Sequence, residues 1–144
     1  MAVQRALESA RPPSSRLFCD PFAQRFVSRP WRLVVAASRL SLVRRVVEGL
    51  YDRMARPGPR ASAVARTCLI DELVTDARSS IGQLVILGAG FDSRAWRLPG
   101  LEEVTVFEVD HPATQQVKQN VLGGIGARWP RRCGSCRSTS SGTT

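Results

Sequence analysis

"QLVILGAGFDSRAWRLPGLEEVTVFEVDHPATQQVKQNVL", residues 83–122, decides the fold. It opens on "QLVIL" (83–87), a short apolar run of the kind found in parallel strands buried on both faces. "GAGFDS" (88–93) follows as a glycine turn. "DSRAWRL" (92–98) permits only a short helix, because Pro99 and Gly100 stop it. "EVTVFEVD" (103–110) predicts a second strand that ends in acid. "HPATQQVKQNVL" (111–122) places proline at a helix N-terminus and continues as a helix. Strand, turn, helix, strand, helix is the opening of a doubly wound parallel sheet, an α/β fold.

Upstream the periodicity is helical. "CDPFAQRFV" (19–27) predicts a short helix, with Asp20 as N-cap and Pro21 at the first helical position. Residues 30–56 carry Leu33, Ala36, Ala37, Leu40, Val43, Val46, Val47 and Leu50 at the spacing of one amphipathic helix. "RPGPR" (56–60) is a break. Residues 61–78 predict a further helix with Val64, Leu69, Ile70, Leu73 and Val74 as its apolar positions, and "SSIG" (79–82) ends it. Residues 1–15, polar and proline-interrupted, are expected to be mobile. Residues 16–122 then read as an N-terminal helical cap followed by the first part of a Rossmann-like sheet, incomplete at two strands. Residues 123–144 lose all periodicity and are expected to be a non-family tail, disordered.

The glycine turn and the acid after it point to a nucleoside. A strand entering G-x-G brings the backbone where no Cβ obstructs a ligand, and an acid at the tip of the next strand accepts from ribose hydroxyls. Gly88 and Gly90 supply the turn, and Glu108 and Asp110 supply the acids. In the dinucleotide fingerprint a third glycine lets a long helix point its N-terminus at pyrophosphate. This chain has Ser93 there, and its helix stops at Pro99. That favours a ligand without phosphate, such as S-adenosylmethionine, over NAD. The carboxylate of such a ligand needs a cation, and Arg66, on the helix before the first strand, offers a bidentate partner.

Those residues carry a resemblance. "QLVILGAGFDSRAWRLPG" and "VTVFEVDHPATQQVK" resemble the leucine carboxyl methyltransferase-like family of S-adenosylmethionine-dependent methyltransferases, most of all its mycobacterial and other actinobacterial members. "RLFCDPFAQRFV" and "ARTCLIDEL" resemble its N-terminal helices. The resemblance spans about residues 16–122. It implies a class I methyltransferase fold, S-adenosylmethionine as cofactor, and cofactor contacts from Arg66, Gly88 and Asp110. Asp110, rather than Glu108, matches the family's ribose-binding acid. The implied reaction is O-methyl or carboxyl methyl transfer to a small or carboxyl-bearing substrate, with no catalytic residue assigned. The family runs to about twice this length or more. The chain is therefore expected to be a truncated fragment, a poor catalyst alone.

Composition narrows the remaining choices. The formal net charge is +9, but 20 of the 21 basic residues are Arg and only Lys118 is Lys, the bias of a GC-rich coding sequence. The charge is uneven: +8 over residues 1–60, −3 over 61–122 and +4 over 123–144. A basic nucleic-acid-binding or interaction module without enzymatic activity is the alternative reading. The acidic balance of the motif-bearing segment argues against a nucleic-acid partner. The N-terminus lacks the apolar core of a signal peptide, and Arg39, Arg44 and Arg45 interrupt the one long apolar stretch, so no membrane span is expected. Cysteines at 19, 68, 133 and 136 suit a reduced, cytoplasmic protein. Cys133 and Cys136 have half a zinc-ligand spacing, but no second pair follows and His111 is the single histidine, so no metal is expected. His111 itself reads as a turn residue before Pro112, and Asp92 and Arg94 as residues that order the glycine turn.

The closing "RRCGSCRSTSSGTT" (131–144) holds no Val, Leu, Ile, Phe or Tyr. Cys codons begin with T, and a T in the middle of a codon encodes only Phe, Leu, Ile, Met or Val. Reading from the third base of each codon puts the old first base in the middle. The tail is accordingly expected to be family sequence read in a shifted frame.

Overall fold

A computed structural model describes residues 2–55, 59–124 and 133–137. Positions 56–58 of the expected break, and tail positions 125–132 and 138–144, lie outside the described residues. The elements run α1 (Ala2–Ser9), a 3-10 turn (Ala23–Phe26), α2 (Arg29–Ala37), α3 (Ser41–Ala55), α4 (Pro59–Ala77), β1 (Gln83–Leu87), α5 (Arg94–Arg97), β2 (Thr105–Asp110), α6 (Pro112–Gly123) and β3 (Cys133–Arg137). They divide into two compact units, residues 1–72 and 73–144.

In the first unit, α1 corrects the expectation of a mobile N-terminus over residues 1–15. Pro12 and Pro13 fall after the helix ends, where they do not disturb it. Ala6 and Leu7 pack with Ala23, Val27 and Val35 into a small core, with Trp31 and Val47 against it. The polar residues of α1 are also used. Gln4 Nε2 donates to the Tyr51 hydroxyl at 2.8 Å, and the Trp31 and Tyr51 rings meet edge-on at 6.3 Å. Glu8 Oε1 accepts the Leu17 N–H at 2.8 Å. The Arg11 guanidinium, just beyond the helix, grips both oxygens of Glu48 at 3.0 and 3.1 Å. Such paired, hydrogen-bonded side chains fix a helix too short to be stable alone.

The helix expected to start at Asp20 and Pro21 is a 3-10 turn over Ala23–Phe26 with Phe22 at its N-cap position, and Asp20 serves the turn just before it. Its Oδ1 accepts the Phe22 and Ala23 amides, each at 3.0 Å. Its Oδ2 lies 3.5 Å from the Arg5 guanidinium, and the carboxylate is fully buried.

The single helix expected over 30–56 is two. Ser38 is buried, and its hydroxyl donates to the Val34 carbonyl at 2.7 Å. A serine hydroxyl that takes a helical carbonyl competes with the backbone ladder and bends it. The chain tightens there into i→i+3 bonds from Arg39 and Leu40. The break rotates the inward face. Val35 is buried, while Leu33, Leu40, Val46 and Leu50 of the expected stripe are each more than half exposed.

In the second unit, β1 and β2 pair in parallel, from Gln83 opposite Thr105 to Leu87 opposite Val109. β3 pairs in parallel with the other edge of β2, from Val106 opposite Cys133 to Asp110 opposite Arg137. The order β1-β2-β3 makes β2 the inner strand. Thus part of the tail expected to be disordered over 123–144 forms a strand. Pairing with β2 uses backbone groups and does not require apolar side chains. The core of this unit includes Ala89, Ala95, Leu101, Val104, Val106 and Leu122. β1 keeps Val85 and Leu87 exposed on one face. Helices and a small parallel sheet together make the mixed α/β architecture expected.

Asp20→Ala should destabilise the chain by about 3–5 kcal/mol, because it leaves a buried guanidinium and two amides without their partner. Asp20→Asn keeps the amide acceptor and should cost less. Equilibrium urea unfolding measures both, and equal losses in the two variants would contradict this account of the turn.

Candidate functional site

The site is built where β1 and β2 end side by side. β1 delivers the chain into Gly88 and Gly90, whose φ angles of +61° and +49° lie in the left-handed region. An L side chain at either position would be strained. Among the described residues, no atom beyond its own chain neighbours lies within 4 Å of where a Cβ on Gly88 would sit, so the space beside it is open to them. The Ala89 amide donates to the Val109 carbonyl at 3.2 Å and ties the turn to β2.

Asp110, the last residue of β2, closes this arrangement. Its Oδ2 accepts the Gly90 N–H, and its Oδ1 accepts the His111 N–H at 2.6 Å. One carboxylate thus joins the glycine turn to the start of α6. His111 caps α6, its Nδ1 accepting the Ala113 N–H at 3.2 Å, with Pro112 in the first helical turn. Asp92 and Arg94 order the turn as read from the sequence. Asp92 Oδ1 accepts the Arg94 N–H at 2.8 Å, and its other oxygen pairs with the Arg94 guanidinium.

Glu108 is placed differently. Its carboxylate is buried, and the Lys118 ammonium donates to both oxygens at 2.7 Å. Lys118 is buried too and lies 4.6 Å from the centre of the Trp96 ring, a favourable place for a cation. Gln115, one turn earlier on α6, donates to the Glu108 carbonyl at 3.1 Å. Burial pushes the Glu108 carboxyl above the usual glutamate range, Lys118 pulls it back, and the charges of Asp92 and Asp110 push it further up.

Of the five residues singled out in the sequence, Gly88, Gly90 and Asp110 therefore come together. Glu108 turns to Lys118 instead. Arg66 belongs to the first unit, where it is exposed on α4. Sequence reasoning missed Lys118 and Trp96 as supports of this region. The available signal was compositional: one lysine kept among 20 arginines. Among the described residues no group of three or more His, Cys, Asp or Glu is placed to hold a metal ion.

Glycine turn, following strand and terminal Asp agree with a family match over nearly the whole chain. The leucine carboxyl methyltransferase family profile matches residues 1–138. The chain belongs to this family. The match reaches past residue 122 and takes in β3. The sequence is 38% identical over 136 residues to a protein of Mycobacterium ulcerans, covering 88% of this chain and 42% of that protein. It is 38% identical over 123 residues to one of Streptomyces coelicolor, covering 85% and 40%. It is 36% identical over 137 residues to one of a Parafrankia species, covering 94% and 42%. All three bear the provisional name S-adenosyl-L-methionine-dependent methyltransferase. The chain spans about two fifths of the length of these curated relatives.

Glu108 gives this site a pH signature. An acid whose folded pKa is raised binds its proton more tightly in the folded state. Its contribution to stability therefore falls as pH rises from the ordinary glutamate range through the raised folded value. The stability of the wild type relative to Glu108→Gln should fall across that window and level off above it. Urea midpoints taken at a series of pH values test this, and a flat or rising difference would contradict it.

Proposed function

We propose that the glycine turn and Asp110 form the adenosine part of an S-adenosylmethionine site, and that the chain is the cofactor-binding part of a methyltransferase. The observation that carries this reading is the Asp110 carboxylate lying against the Gly90 amide beside the open space at Gly88. The position supports it as well: ligands of open α/β sheets bind beyond the carboxyl ends of the strands.

The residues present fit this cofactor. Each carboxylate oxygen has two acceptor sites. After the Gly90 and His111 amides, Asp110 keeps capacity for two ribose hydroxyls. α5 has one turn, Arg94–Arg97, and offers little helix terminus for a pyrophosphate. For Arg66 the role remains the one the family resemblance implies, a partner for the carboxylate of the amino-acid moiety. Glu108, consumed by Lys118, is assigned to holding β2 rather than touching ligand. In this reading the N-terminal helices are the cap of a class I methyltransferase sheet.

Bound there, the cofactor would supply an electrophilic methyl group for an oxygen nucleophile of the acceptor. The family description points to a carboxyl-bearing acceptor. A cytoplasmic location is proposed on the cysteine usage, which suits a reducing compartment. Among the described residues no helix is long and apolar enough to cross a membrane. The charge does not call for a nucleic-acid partner. Arg5, Arg11, Arg60 and Arg94 pair with carboxylates, and Arg32 donates to the Val27 and Arg25 carbonyls.

Titration calorimetry with S-adenosylmethionine tests the site. Asp110→Ala removes the acceptors for ribose and should weaken binding by about 10- to 150-fold, the equivalent of 1.5–3 kcal/mol. Gly88→Asn tolerates the left-handed backbone yet fills the space beside it, and should weaken binding by about tenfold or more. Wild-type affinity in both variants would remove the assignment.

A further inference from the structure

We propose that Lys118 is a positioning residue for the nucleoside site: by holding Glu108 in a buried pair, it leaves Asp110 as the carboxylate of β2 that meets the glycine turn. As a statement about ligand binding, this rests on the cofactor reading above.

Alternation along a strand puts Glu108 and Asp110 on the same face of β2, about 7 Å apart along the chain. Both are acids, and the amides of Gly90 and His111 are donors that attract either. Lys118 separates their roles. Its ammonium takes both Glu108 oxygens at 2.7 Å, while Asp110 takes the two amides. α6 grips Glu108 twice, through Lys118 at the side chain and through Gln115 at the carbonyl. Trp96 of α5 stands over the ammonium. One buried cation therefore joins α5, β2 and α6, the elements that flank the turn and Asp110.

The chemistry suits lysine. Its ammonium is a compact point charge that fits between two carboxylate oxygens and a ring face, whereas a guanidinium is a wide planar fork. In a chain that otherwise uses arginine throughout, the single lysine stands at this position.

A cycle of Lys118→Met, Glu108→Gln and the double variant tests the proposal. Either single change leaves an unpaired buried charge beside Asp110; the double change leaves none. The first readout needs no ligand. Hydrogen exchange at the Gly90 amide reports its bond to Asp110. Exchange at the Ala89 amide, bonded to the Val109 carbonyl, is the internal control. Each single variant should lose about tenfold or more of Gly90 protection while Ala89 keeps its own, and the double variant should regain it. The second readout is affinity for S-adenosylmethionine, which should follow the same pattern. Unchanged Gly90 exchange in the single variants overturns the proposal, as does equal loss at Gly90 and Ala89. A double variant that folds with Gly90 unprotected overturns it whatever the single variants do. A wild type that fails to bind the cofactor sinks the functional reading and leaves the exchange data to decide the role of Lys118.

Discussion

The Asp110 carboxylate is the bond on which the second unit turns. Parallel strands cannot be joined by a hairpin, so each must be left through a turn and a crossover. The exits of β1 and β2 therefore lie side by side at the same end of the sheet. Asp110 holds those two exits together, one oxygen on the glycine turn and the other on the first amide after β2. The turn is then a fixed concave edge rather than a loose loop. The positive φ angles of Gly88 and Gly90 make that shape reachable for the backbone. Behind it, the buried Glu108–Lys118 pair sits under Trp96.

How much of this could be read in the sequence depends on how local the cause is. β1 matches its expected bounds because four consecutive apolar residues end at a glycine. β2 starts two residues later than expected, since the Val104 amide bonds back to Leu101 in a turn. The division between α2 and α3 left no mark in the apolar spacing. Its cause is the Ser38 hydroxyl, whose choice between solvent and the Val34 carbonyl is not visible in a pattern. α1 was hidden for a different reason. Its partner Tyr51 is far away in sequence and polar, so hydrophobic periodicity carried no trace of it. β3 was hidden because strand pairing reads backbone, whereas a hydrophobic pattern records only side chains. At the candidate site the residue types were legible and their division of labour was not. Two acids two residues apart look alike until Lys118 is seen on one of them.

The formal charge of +9 is likewise a poor guide to the surface. Several arginines are structural. Arg5 lies against a buried aspartate, Arg11 and Arg60 share Glu48, and Arg94 is folded onto Asp92. A guanidinium with five donors can satisfy carbonyls and carboxylates at once. A GC-rich coding bias toward arginine therefore need not produce a field that attracts polyanions. It also supplies ties between segments that have few apolar residues to spend. The small core of the first unit, built largely from alanine and valine, depends on such ties.

The reach of those ties has a consequence for synthesis. The bonds of α1, and of Arg11 just after it, to Asp20, Glu48 and Tyr51 are complete within the first 51 residues. β1 and β2 are separated by a crossover, and the inner strand needs its second neighbour from residues 133–137. A ribosome adds about 5–20 residues per second. The partners of the helical unit have thus all been made seconds before those of the sheet. Early helical contacts occupy the emerging chain while the parallel strands, which need distant partners and form slowly, are still being translated. The chain order places the segment that can close early ahead of the segment that must wait.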